Sequence, residues 1–195
     1  MRTHAINIFL KNLRNTNIKV ISDLNPLIIK IDNRLYAFYI RQITSAYFKN
    51  RPDVSRIQLH DSPETKSLIQ KNTPVYVLGY CSDYDVFITW TSNSLGKRLN
   101  VKKNVSLYSR FSLQKKAFKT QENVSITLKN GDIVEAFPTQ LLSNKLDSFI
   151  NNLNTRNRKR DTITDLELML QQNPELSFAE ALKLISANNT TFQAE

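Results

Sequence analysis

Leu27-Ile28-Ile29-Lys30-Ile31-Asp32-Asn33-Arg34-Leu35-Tyr36-Ala37-Phe38-Tyr39-Ile40 is the stretch on which the fold reading turns. Two runs rich in β-branched and aromatic residues flank the turn formers Asp32-Asn33, a pattern that predicts a hairpin. Runs of the same kind recur further along, at Val54 to His60, Val75 to Tyr80, Val86 to Trp90, Ser106 to Tyr108, Val124 to Leu128 and Ile133 to Phe137. Asn130-Gly131 between the last two is a tight-turn signal. Helical spacing is confined to shorter stretches. Ile6 to Asn17 carries Ile6, Phe9, Leu10 and Leu13 on one face, and Ser62-Pro63-Glu64 opens a helix with Leu68 and Ile69 inward. Phe111 to Phe118 and Pro138 to Leu153 complete the set, the latter with Leu141, Leu142, Leu146 and Ile150 aligned. Seven or eight strands with helices at the corners predict a mainly β, mixed α+β fold of barrel or sandwich type, not an alternating βαβ chain.

The 195 residues carry a net charge of +10, unevenly spread. No acidic residue lies between Asp85 and Glu122, whereas Lys97, Arg98, Lys102, Lys103, Arg110, Lys115, Lys116 and Lys119 fall in that interval, interleaved with Ser106, Tyr108, Ser109 and Ser112. A polyanion is the natural partner, because each phosphate neutralised releases a counterion. Hydroxyls add donors to phosphate oxygens and base edges without adding charge. Residues 161–195 oppose this with one base, Lys183, against six acids, a net of −5 that leaves +15 on the rest. Three scattered glycines, Gly79, Gly96 and Gly131, build no phosphate-cradling loop, which argues against nucleotide-driven chemistry. His4, Cys81 and His60 make no ordinary zinc site, and a single cysteine forms no intrachain disulfide. No cofactor or metal is expected. With neither a secretory leader nor a membrane-length apolar run, a cytoplasmic, reducing setting is the expectation.

Three segments are expected: a DNA-binding domain over 1–155, a basic linker at Arg156-Asn157-Arg158-Lys159-Arg160, and a helical appendage over 161–195. The appendage has two capping boxes, Thr164 with Glu167 and Ser177 with Glu180. Its leucines exceed what two isolated helices hide, so it is expected to dock on the body, on a second copy, or on a nuclease domain or subunit.

Several patterns admit a sharp and a plain reading. Pro52-Asp53 with Glu64-Thr65-Lys66 matches the PD…ExK expression of metal-dependent nucleases, in which Asp53 and Glu64 would share a divalent ion and Lys66 orient water. That chemistry wants Glu64 and Lys66 on a strand, whereas Ser62-Pro63 starts a helix, so the structural role is preferred. Phe38, Tyr80, Phe87 and Trp90 could form a base-flipping pocket, but aromatics alternating on strands are more often core. Cys81 reads as a small buried hydrophobe. Arg56, Gln58 and His60 alternate with Ile57 and Leu59 and therefore share a strand face. That face is either merely solvated or reads bases, since Arg suits guanine O6/N7 and Gln suits adenine N6/N7. Lys49, Asn50 and Arg51 in the preceding loop suit phosphates.

Two signatures resemble the B3-like DNA-recognition domains of prokaryotic restriction endonucleases. One is Asp53-Val54-Ser55-Arg56-Ile57-Gln58-Leu59. The other runs Val77-Leu78-Gly79-Tyr80-Cys81-Ser82-Asp83-Tyr84-Asp85-Val86-Phe87-Ile88-Thr89-Trp90 and is followed by a basic loop. Where family members often keep an acidic residue after the Trp, this chain has Thr91-Ser92-Asn93. The resemblance implies a seven-stranded pseudobarrel that grips the major groove of duplex DNA with two arms, here Arg41 to Gln58 and Ser92 to Ser109. Candidate DNA contacts are then Arg41, Lys49, Asn50, Arg51, Arg56, Gln58 and His60 on the first arm. On the second they are Lys97, Arg98, Lys102, Lys103, Ser106, Tyr108 and Ser109. The implied function is non-catalytic, sequence-specific recognition of double-stranded DNA in a restriction-modification or related defence system, with sensitivity to base methylation left open. A small PD-ExK endonuclease and an RNA-binding module are the alternatives.

Overall fold

The computed structural model describes residues 3–13, 17–31, 33–60, 67–68, 73–91, 104–151, 168–181 and 183–184. The chain divides into two compact units, 1–143 and 144–195. The first opens with helix α1 (His4–Asn12), whose N-cap Thr3 accepts a hydrogen bond from the Ile6 amide and whose inner face buries Ala5, Ile6 and Phe9. The helix begins before the predicted Ile6 and stops well short of Asn17, with Leu13 already extended. Asn and Thr crowd the sequence from Asn12 to Asn17, and their side chains compete with helical backbone bonds.

Among the described residues ten strands follow, with α2 between the eighth and ninth: β1 (Ile18–Ser22), β2 (Leu27–Ile31), β3 (Arg34–Gln42), β4 (Thr44–Ser45), β5 (Val54–His60), β6 (Val75–Cys81), β7 (Val86–Thr91), β8 (Asn104–Arg110), α2 (Phe111–Thr120), β9 (Val124–Thr127) and β10 (Ile133–Pro138). Seven of them form one sheet in the order β1-β2-β3-β6-β7-β10-β9, and β4-β5-β8 form a second. Mixed α+β with most strands in sheet is the class expected. The larger sheet is open: β1 and β9 are its two edges, and it does not close into a barrel. The predicted hairpin is β2–β3, paired from Ile31↔Arg34 to Leu27↔Phe38, with Asn33 at φ 67 in the turn. Gly131, at φ 81, turns β9 into β10 in a conformation that favours glycine.

β3 and β6 are the parallel pair in a sheet otherwise antiparallel. Between them the chain leaves the large sheet, lays down β4 and β5, and returns. After β7 it leaves again for β8 and α2, and comes back as β9 and β10. The small sheet is therefore made by two excursions from one scaffold. The shared core joins Tyr39, Ile43, Val77, Ile88 and Trp90 of the scaffold side to Ile57, Leu59, Val105 and Leu107 of the small sheet, with Leu113 and Ala117 of α2.

A 3-10 turn (Thr139–Leu141) leads into helix α3 over 142–151, where Leu142 and Leu146 are buried. In the second unit, helical segments cover 168–172 and 178–181, continuing at 183–184. Ser177 and Glu180 make the predicted capping box: the Ser177 amide and hydroxyl donate to Glu180 Oε2 at 2.9 and 2.6 Å, and the Glu180 amide donates back to Ser177 Oγ at 3.3 Å. These bonds favour the charged carboxylate and hold its pKa below the ordinary value. The other box, Thr164 with Glu167, lies outside the described residues, as do Arg156 to Arg160 and the Ser62-Pro63-Glu64 helix start. Ala181 is buried against Met169 and Leu170, while Leu168, Phe178 and Leu184 stay exposed. Among the described residues no helix is long and apolar enough to cross a membrane.

Candidate nucleic-acid interface

From Thr44 onward, the first expected arm meets the described part of the second in the small sheet. β5 and β8 pair antiparallel with Arg56 opposite Tyr108, Gln58 opposite Ser106 and His60 opposite Asn104, and Thr44 of β4 pairs with Arg56 from the other side. Burial alternates strictly along both strands. Ser55, Ile57, Leu59, Val105, Leu107 and Ser109 point inward, while Arg56, Gln58, His60, Asn104, Ser106, Tyr108 and Arg110 form the outer face. This alternation follows from the pleat, which sends successive side chains to opposite sides. Among the described residues, the side chains of Arg56 and Gln58 have no hydrogen-bond or ion-pair partner. His60 Nδ1 and Asn104 Oδ1 lie 2.6 Å apart, within hydrogen-bonding distance, so the two side chains pair across the strands.

Buried contacts fix this face rigidly. The Trp90 indole N–H donates to the Tyr108 carbonyl at 2.7 Å and ties β8 to β7 of the large sheet. A Cβ on Gly79 would sit 2.5 Å from Ile43 Cδ1 and 3.0 Å from the Trp90 ring, so glycine is needed there for both side chains to pack. Asp53 caps α2 from a distant element, where the helix's own N-cap residue, Arg110, offers no side-chain bond. The Asp53 carboxylate accepts from the Ser112 amide and hydroxyl, each at 2.7 Å, its carbonyl accepts from the Phe111 amide, and Arg110 stands 3.7 Å away. Beneath the sheet, Gln114 is fully buried and donates to Ser55 Oγ at 2.8 Å.

The loop from Ala46 to Asp53 extends the outer face. Backbone bonds from Ala46 to Val54, Arg51 to Phe48 and Val54 to Arg51 close it into compact turns. Phe48 packs against Tyr108 with ring centroids 5.8 Å apart, and the Arg51 guanidinium lies over Phe48 at 4.6 Å. Lys49 and Asn50 are exposed at the tip.

Not every expected contact belongs to this surface. Ser109 faces inward at 2% exposure, one position out of phase with Tyr108. Arg41 sits on β3 in the large sheet, opposite Gly79, where it lines a cleft of about 450 Å³ with Thr3, His4, Ala5, Ile40 and Gln42. Lys97, Arg98, Lys102 and Lys103 lie outside the described residues. Two features lie beyond the expected arm contacts, the second of them within the basic stretch already read as facing a polyanion. Asn104 joins the face, as the alternation extended back from Ser106 indicates, and Lys115, Lys116 and Lys119 stand exposed on α2 next to β8. Phe38, Tyr80, Phe87 and Trp90 are each at most 5% exposed and form core rather than a base pocket.

The second signature is likewise structural. Asp85, at φ 48, accepts from the Tyr80 hydroxyl at 3.0 Å and the Thr139 hydroxyl at 2.9 Å, locking the β6–β7 turn to the end of β10. Burial and this bond to a carboxylate push the Tyr80 pKa up to about 12. Burial also raises the pKa of the Cys81 thiol.

A family model described as Methylase-associated X1 (MTaX1) matches residues 34–146, more than half of the chain. The chain belongs to the methylase-associated X1 family. The MTaX1 match begins at the first residue of β3 and ends in α3, so it takes in the small sheet, α2 and the five large-sheet strands from β3 onward, and leaves out α1, β1 and β2. No curated protein and no solved structure matches the chain significantly.

Proposed function

We propose that this MTaX1 protein is a non-catalytic, sequence-specific duplex-DNA recognition module of a restriction-modification or related defence system. In this reading the outer face of β4-β5-β8 enters the major groove in the manner of the two arms of B3-like domains. The observation that carries it is the row Arg56, Gln58, His60 facing Tyr108, Ser106 and Asn104 on a buttressed sheet, with the side chains of Arg56 and Gln58 uncommitted among the described residues. Same-face residues along a strand are about 7 Å apart. Base pairs rise 3.4 Å each, so successive side chains would address every second pair. A β-ribbon fits the major groove, and Arg and Gln are the side chains that read guanine and adenine bidentately there. The basic ridge Lys115, Lys116 and Lys119 on α2 and the loop tip Lys49, Asn50 and Arg51 would hold the flanking phosphates. The family's description, tied to methylases, supports the restriction-modification context. Asp53 is engaged as a helix cap, which supports recognition over a PD-ExK role for it.

The test is selection from a random duplex pool, with and without cytosine and adenine methylation, followed by incubation of plasmid with Mg²⁺ or Mn²⁺. An enriched duplex motif with uncut plasmid is expected. Absence of any motif, preference for single-stranded RNA, or nicking abolished by Asp53→Ala would overturn the reading.

A further inference from the structure

Tyr47 is the most exposed large hydrophobic residue of the described chain, at 81%, and its backbone is left-handed at φ 56. Tyrosine gains nothing from that conformation: its Cβ makes it costly, and it persists only where the surroundings over-determine it. They do so here. The Tyr47 amide donates to Ser45 Oγ at 3.1 Å, the Ala46 amide is held by the Val54 carbonyl, and the Phe48–Arg51 turn closes the other side. Ala46 on one side is 5% exposed and Phe48 on the other is packed on Tyr108, so the loop is anchored at both flanks while the ring between them is thrust outward.

The neighbourhood tells what the ring meets. A protein interface would surround such an aromatic with apolar side chains at its centre. Tyr47 is followed instead by the Phe48–Arg51 cation–π pair and exposed Lys49 and Asn50, and the loop continues onto the face of Arg56, Gln58 and His60. An aromatic projecting from a cationic surface matches the way base rings are held, by stacking on an aromatic while basic groups hold the backbone. Side chains that enter a duplex act by unstacking a base step and covering the exposed ring.

From this we infer that Tyr47 is a stacking residue, which inserts at a base step beside the site read by the small sheet and covers the face of an unstacked base. The inference rests on the DNA-recognition reading and adds local unstacking of the DNA to it. The ring, not the hydroxyl, carries the effect.

Because unstacking is cheaper where pairing is already broken, the probe is one fixed duplex of about 30 base pairs carrying the motif enriched by the selection, fully paired or with a single T·T mismatch beside that motif. Binding of the full chain to each is followed by fluorescence anisotropy. The wild-type protein should favour the mismatched duplex by about fivefold or more, the lower end of what base–aromatic stacking contributes. Tyr47→Ala should bind both duplexes equally, and Tyr47→Phe should keep the preference. Circular dichroism of each variant confirms folding, which an exposed loop substitution should not disturb. Equal binding of both duplexes by the wild type, or an undiminished preference in Tyr47→Ala, overturns the stacking role and leaves duplex recognition standing. Failure of the wild type to bind either duplex overturns the recognition reading itself.

Discussion

A single carboxylate shows how a residue can match a catalytic expression and serve the fold instead. Asp53 sits in Pro52-Asp53, yet both its oxygens accept from Ser112 at the start of α2. Asp53→Ala should therefore behave as the loss of an N-cap, lowering stability by about 0.5–2 kcal/mol in urea unfolding. Unchanged stability would mean the cap contributes nothing. Tyr80 makes a second residue-level claim. Its hydroxyl ionises near 10 in an unfolded chain and at about 12 in the fold, because burial and Asp85 disfavour the phenolate. A folded pKa raised above the unfolded value means the unfolded state releases its proton first. The stabilisation is therefore complete below pH 10 and is lost as pH rises from 10 towards 12. Tyr80→Phe lacks that proton, so its unfolding free energy should fall less steeply than the wild type's across this window. Identical slopes for the two proteins would show that Tyr80 titrates normally.

The elements divide into those the sequence makes legible and those that packing decides. β2, β3, β5, β6, β7 and β10 have runs of β-branched and aromatic residues long enough to announce themselves, and Val54–His60 matches its reading at both ends. β1 was not legible, because as an edge strand with Lys19, Val20 and Ile21 all exposed it shows no alternation. β4 has two residues and exists only because β5 pairs with it. Nothing local reveals that β3 and β6 are parallel or that β8 joins β5, since both follow from the excursions closing on a common core. For the candidate site the period of two placed Arg56, Gln58 and His60 together. The same period turns Ser109 inward, one position out of phase with Tyr108, so it leaves the face that the resemblance assigned it to. The aromatic platform at Phe48 and Tyr108 depends on a loop folding back, which no spacing encodes. The division predicts two kinds of variant. Arg56→Ala or Gln58→Ala should lose about 1–3 kcal/mol of discrimination between selected and random duplex. Lys115→Ala or Lys116→Ala, on the helix ridge, should weaken both duplexes alike and reduce the salt slope by about 0.9 each. Equal losses on both duplexes for Arg56→Ala would make it a positioning residue.

At the scale of the whole molecule, charge and sequence divide in the same direction. Residues 161–195 carry −5 against +15 on the remainder, so the chain presents phosphate with one attractive and one repulsive part. The family match ends at residue 146 and thus takes in the small sheet and α2 but not the acidic segment. Leu168, Phe178 and Leu184 remain exposed on the helical segments there, and apolar side chains offer no charge to a polyanion. Removal of residues 161–195 should accordingly leave duplex affinity unchanged at moderate salt. At low salt it should raise affinity, because the repulsion it relieves is screened within about 10 Å at 0.1 M salt and reaches further below that. Anisotropy titrations of the intact and shortened chains across a salt series measure this, and sedimentation of the same samples shows whether the segment pairs two copies. A loss of about 1.4 kcal/mol, or tenfold, in a shortened chain that keeps its circular dichroism would place the acidic segment within the DNA grip and overturn the division of labour.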